Sequence, residues 1–125
     1  MKNKLRKIAV NNLEYLYYIA YQYHSATETT TLTVKVFLKD YKQTPLVIEF
    51  LAFDDYYMGH PLKSGMKLMN KIKGLQEEVN LNEPKYLNQL IVLGRKNGWS
   101  GINTIEKQNG LSYLEELGFE TDPLK

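Results

Sequence analysis

Between residues 5 and 53, apolar and aromatic side chains recur at nearly every second position. That period matches a β-strand, whose successive side chains point to opposite faces, and not the 3.6-residue turn of an α-helix. The first half of the chain is therefore constrained to a half-covered sheet. Ile8 and Val10 close a short first strand, and Asn11-Asn12 supplies two residues that tolerate the positive φ of a tight hairpin turn. A second strand over 13–23 sends Tyr15, Tyr17, Ile19, Tyr21 and Tyr23 to one face and Leu16, Tyr18 and Ala20 to the other. With apolar groups on both sides, both faces of this strand are expected to be partly covered.

After a polar connection over 24–30, a third strand places Leu32, Val34, Val36 and Leu38 opposite Thr31, Thr33, Lys35, Phe37 and Lys39, which marks one face as wet. Residues 40–45 read as a turn, and Pro45 opens the next strand, where an initial residue need not donate to the ladder. The run 46–53 is nearly continuously apolar apart from Glu49, which predicts a more central strand covered on both sides. Sequential hairpins make a four-stranded antiparallel meander.

At Asp54 the period stops, and residues 54–61 read as a loop. Over 63–73, Leu68, Ile72 and Leu75 suit a helical stripe bracketed by Gly65 and Gly74, so a short helix is expected there. The strongest helix signal starts at Asn82-Glu83-Pro84, where asparagine or glutamate can cap exposed amides and proline suits the first turn. Leu87, Leu90, Ile91 and Gly94 form its buried stripe, Arg95 and Lys96 complement the dipole, and Gly98 stops it. A further helix is expected over 111–117, after an Asn109-Gly110 turn and before Gly118. The fold class is thus α+β, in one domain: a sheet over 1–53, a loop with a short helix over 54–82, and helices over 83–118.

The 125 residues include no cysteine, which excludes disulfides, zinc–thiolate sites, iron–sulfur clusters and cysteine nucleophiles and suits a reducing, cytoplasmic compartment. The basic N-terminus runs directly into the alternating segment without the apolar stretch of a signal peptide. The longest mainly apolar run, 46–53, is far below the roughly 20 residues of a membrane-spanning helix. Net charge is +2, with 7 basic against 6 acidic residues up to Leu62 and 9 against 8 after it, so no general nucleic-acid field is indicated. The richness in Lys, Asn, Ile and Tyr hints at a bacterial source with an AT-rich genome.

Pro45-Leu46-Val47-Ile48-Glu49-Phe50, then Asp54-Asp55-Tyr56-Tyr57, then Pro61-Leu62, then Pro84-Lys85-Tyr86-Leu87 with Ile91, Gly94 and Gly98-Trp99, form a recognisable order. It resembles a group of small uncharacterised bacterial α+β proteins in which a strand-rich half ends in an acidic-aromatic loop and a Pro-initiated helix ends in Gly-Trp. The likeness covers residues 45–99, and this chain departs from it afterwards by adding the helix over 111–117. What the resemblance implies is a fold, with no activity and no catalytic residues.

Two surfaces are candidate binding sites. The loop carrying Asp54, Asp55, Tyr57 and His60 gathers groups that hard metals or polar ligands use, but with no His-Glu-x-x-His or calcium-loop spacing; otherwise it is a solvated turn whose carboxylates bond nearby amides. The row Tyr15, Tyr17, Tyr21 and Tyr23 offers flat area for a sugar, a base or a partner protein; otherwise the helices cover it. Lys63, Lys67 and Lys71, four apart, would line one face of a helix over 63–73, and Lys73 adds to the cluster. Trp99 pins a helix end to the sheet or anchors a partner.

No phosphate loop, nucleophile elbow or dinucleotide turn is present, so no catalytic residue, metal or cofactor is assigned. The expectation is a protein-interaction module, as a neutralising or accessory protein for a protein partner, leaning away from an enzyme. The alternatives are a small-ligand-binding protein or enzyme using the 54–60 loop, and, more weakly, single-stranded nucleic-acid binding. A homodimer through an open sheet edge is compatible with a four-stranded meander, which leaves two edges to manage.

Overall fold

The computed structural model describes residues 4–55, 57 and 59–125. Strands β1 (Arg6–Val10), β2 (Leu13–His24), β3 (Thr29–Leu38) and β4 (Tyr41–Phe53) follow one another as antiparallel hairpins. Helix α1 (Pro61–Ser64), strands β5 (Met66–Asn70) and β6 (Leu75–Val79), helix α2 (Pro84–Lys96), strand β7 (Gln108–Asn109) and helix α3 (Gly110–Glu116) follow, before a 3-10 turn at Asp122–Leu124. The fold is α+β, with a mainly antiparallel sheet. β7 lies parallel to β4, which extends the meander to five strands in the order β1-β2-β3-β4-β7, while β5 and β6 form a separate hairpin.

Asn11 and Asn12 turn the first corner at φ 51° and 67°, the left-handed pair that a two-residue hairpin requires. Register then fixes two faces. Tyr15, Tyr17 and Ile19 stand beside Leu38, Val36 and Val34, which stand in turn beside Leu46 and Ile48. This is the face that the helices cover. α2 lays Leu87, Leu90 and Ile91 on it, and it approaches so closely that a Cβ on Gly94 would overlap Leu46 Cδ2. At the far end a Cβ on Gly110, the first residue of α3, would overlap the Phe50 ring. Trp99 is buried against Tyr15, ring centroids 5.8 Å apart, and its Nε1–H donates to Thr44 O at 3.0 Å, so it ties the end of α2 to the sheet.

Three details differ from the pattern in the sequence. Residues 63–73 are not a helix: α1 stops at Ser64, and Gly65 at φ 102° starts a hairpin whose turn is closed by Gly74 at φ 72°. The supposed stripe divides, with Leu68 buried and Ile72 and Leu75 at the exposed turn, and the common lysine face goes with it. Asn70, buried, makes this turn by accepting from the amides of Ile72 and Lys73, each at 3.0 Å, an Asx-type closure that competes with helix.

Residues 41–45 belong to β4 rather than to a turn, so Pro45 sits inside the strand. Val36 faces Leu46, and the next pairing is Leu38 with Tyr41, a register irregularity beside Pro45. The proline nitrogen points to the edge away from β3, where no ladder bond is lost. Finally, β4 is covered on one face only: Leu46, Ile48, Phe50 and Ala52 are buried, whereas Val47 and Glu49 are half-buried and Leu51 and Phe53 exposed.

Candidate functional site: the acidic loop, the tyrosine row and the open sheet face

The loop after β4 is held by its own main chain. Asp55 and Gly59 exchange two N–H···O bonds of 2.9 Å, Asp54 N–H donates to Glu28 O at 3.1 Å, and Asp55 Oδ1 accepts from Tyr57 N–H at 2.9 Å. Tyr57 is 88% exposed. Tyr56 and Met58 lie outside the described residues. Among the described residues no group of three or more His, Asp or Glu could hold a metal ion.

His60 is 1% exposed and caps α1: its Nδ1 accepts from Leu62 N–H at 3.1 Å, and its Nε2 donates to Phe50 O at 2.8 Å. This arrangement requires the neutral imidazole with its proton on Nε2. Burial pushes the His60 pKa below its ordinary value, against the opposing pull of the Phe50 carbonyl and the Asp54 charge. Both ring nitrogens are engaged, so His60 holds a helix start against the last inward turn of β4.

The tyrosine row divides at its middle. Tyr15 and Tyr17 are buried, and Tyr15 Oη accepts from Arg95 Nη1 at 3.1 Å at the rim of α2. Tyr21 and Tyr23 are 40% and 55% exposed. Lys63 Nζ sits 4.9 Å from the Tyr21 ring centroid, a cation–π contact. Burial raises the Tyr21 phenol pKa, while the Asn82 side chain and Arg6 charge oppose the rise.

A third surface was not singled out from the sequence. The face of the sheet away from the helices carries Leu16, Tyr18 and Ala20 from β2, Thr31, Thr33, Lys35 and Phe37 from β3, and Val47, Glu49 and Leu51 from β4. None of these is buried. Their cross-strand order puts Leu16 beside Phe37, Tyr18 beside Lys35, and Lys35 beside Val47. The Tyr18 and Phe37 rings are 6.3 Å apart, and Lys35 Nζ is 5.9 Å from the Phe37 centroid. At one end this face opens into a trough of about 1030 Å³, lined by residues that include His24, Thr31, Leu51, Phe53, Lys107 and Leu111. The signal for it lay in the threonine-rich alternation of β3, which marks a wet face; the apolar neighbours on β2 and β4 become a patch only once the register is known.

Chemically, the patch is an apolar centre with a threonine border and one ion pair, Lys107 Nζ to Glu49 Oε2 at 3.4 Å. Such a surface presents area and hydrogen-bonding edges. Comparison of the chain with protein-family models, with curated proteins and with solved structures finds no match.

Proposed function

We propose that this chain is a small protein-interaction module, working as a neutralising or accessory partner, whose binding surface is the uncovered face of its sheet. Its main support is that Leu16, Tyr18, Phe37 and Val47, each half-buried, form a contiguous apolar centre on the sheet face opposite the buried core residues. Contiguous exposed apolar area rimmed by polar groups characterises partner-binding surfaces, and layered folds ordinarily bury such a face. A ligand or enzyme site at 54–60 draws less support, because His60 already uses both ring nitrogens inside the fold. Nucleic-acid binding loses the helical lysine face on which it depended, since Lys67 lies on β5 and Lys71 in the turn after it.

The test places a photo-crosslinking residue at Val47 or, as a control, at Val92 on the exposed side of α2, in protein produced in its own host. A single recurrent adduct at Val47, identified by mass spectrometry and lost when Tyr18→Asp is added, is the expected result. No adduct, or equal adducts from both positions, overturns the proposal.

A further inference from the structure

The sheet is unfinished at one place. β7 pairs with β4 only at Ile48 and Glu49, so beside Leu51–Phe53 the neighbouring lane holds no strand among the described residues. The β3–β4 register, continued by Asp54 N–H donating to Glu28 O, turns alternate β4 residues toward β3. Leu51 and Phe53 are on the opposite phase, so their main-chain N–H and C=O groups point into that lane. That lane runs along the trough of about 1030 Å³.

Its walls are apolar on both sides of the sheet plane. Leu51 and Phe53, 53% and 36% exposed, stand on the open face; Leu111, half-buried, approaches from the helix-bearing side. The two ends differ in charge. Glu49 is already met by Lys107, whereas Glu28, exposed and level with Asp54, enters no ion pair among the described residues.

We propose that this lane takes an extended segment of the protein partner as an added strand, apolar at consecutive positions and carrying a basic residue at the end beside Glu28. Successive side chains of an added strand alternate between the two faces, so one meets Leu51 and Phe53 and the next meets Leu111. An amphipathic segment would leave one of these walls bare. Main-chain bonds to Leu51 and Phe53 supply the pairing that an open edge otherwise lacks. This deepens the interaction-module reading and rests on it.

The probe is the peptide acetyl-Ser-Thr-Val-Ile-Val-Lys-Lys-amide, titrated into ¹⁵N-labelled protein, alongside the same peptide N-methylated at its three apolar residues. Saturable shifts at the Leu51 and Phe53 amides are expected, with binding at least tenfold weaker for the methylated peptide. Replacing both peptide lysines by glutamates should weaken binding at least threefold, and Glu28→Gln should remove that difference. Leu51→Pro removes one edge N–H that β3 does not use and should cost at least tenfold in affinity; if that variant does not fold, peptide methylation decides. Equal affinity for the methylated peptide, or no saturable shift at Leu51 and Phe53, overturns strand addition. If the Val47 crosslink survives that failure, the interaction face stands without the added strand; if both fail, both readings fall.

Discussion

Both faces of the sheet carry large apolar side chains, and these end in different environments. Leu32, Val34, Val36, Leu46, Ile48 and Phe50 are each 0% exposed on one face, while Leu16, Tyr18, Phe37 and Val47 on the other are all partly exposed. Enrichment in β-branched and aromatic residues reports that a segment is a strand, not which side of it is covered. Coverage is decided by where the helices return. Gly94 and Gly110 mark the points of closest approach, one against Leu46 and the other against Phe50, and both lie on the same side. The covered face is closed by long-range packing; the other face carries large apolar side chains that stay half-buried.

The sharpest way to break this comparison is to truncate neighbouring residues on opposite faces. Phe50→Ala should lower the unfolding free energy by about 3–5 kcal/mol, as deletion of a fully buried aromatic does. Leu51→Ala, one residue on and 53% exposed, should stay within about 0.5 kcal/mol of the parent. Urea unfolding of the three proteins reads both. Equal losses would mean that the open face is covered in solution, and a concentration-dependent midpoint would identify a second copy of the chain as the cover.

Next in size is the helix contact. Gly94→Ala gains up to about 1 kcal/mol in intrinsic helix propensity. Its new methyl nevertheless meets Leu46 Cδ2, and overpacking of this kind costs about 1–3 kcal/mol, so a net loss is expected. Adding Leu46→Ala opens the space that the methyl needs, so the double variant should be more stable than the sum of the single losses predicts. Strict additivity would show that α2 shifts away from the sheet instead.

What the chain discloses locally follows the same division. The strands were legible because their period survives any packing, and the Asn11-Asn12 turn and Pro84 helix start because those residues act on their own backbone. The 66–79 hairpin was not: Leu68, Ile72 and Leu75 fit a helical spacing by coincidence, and only the positive φ at Gly65 and Gly74 shows where the chain reverses. β7 has no local signature, since its pairing joins Ile48 to Gln108 across the chain. Both the trough and the open face depend on such distant pairings. Of the candidate residues, Asp54, Asp55, Tyr57 and His60 were identifiable as a cluster, but the use of both His60 nitrogens depends on Phe50 and Leu62 being brought around the same ring.

His60 gives a smaller, pH-dependent test of the covered side. Its folded pKa lies below the ordinary 6.5, so the unfolded chain takes up the proton first as pH falls. The His60 contribution is complete above about pH 6.5 and declines below it, until the folded imidazole itself protonates. Protonation at Nδ1 removes the acceptor for Leu62 N–H, a helix-cap bond of the kind worth about 1 kcal/mol. Urea midpoints measured from pH 7.5 to pH 5 should fall for the parent and fall less for His60→Gln. Parallel slopes would show that other groups control the acid response.

The smallest expected effect on stability is on the open face, and it separates folding from binding. Val47→Thr keeps the branched shape that β4 favours and exchanges a methyl for a hydroxyl where water already reaches. Unfolding should change by less than about 0.5 kcal/mol. The same hydroxyl would be desolvated in the centre of a partner interface, where an unmatched polar group costs about 1–3 kcal/mol, so partner affinity should fall by about fivefold or more. The informative measurement pairs the urea midpoint with the yield of the adduct formed by a crosslinker placed at Tyr18. An unchanged midpoint with a lost adduct assigns the half-buried valine to binding. A shifted midpoint would mean that this face contributes to the fold, and that its resemblance to the covered face extends to what it does.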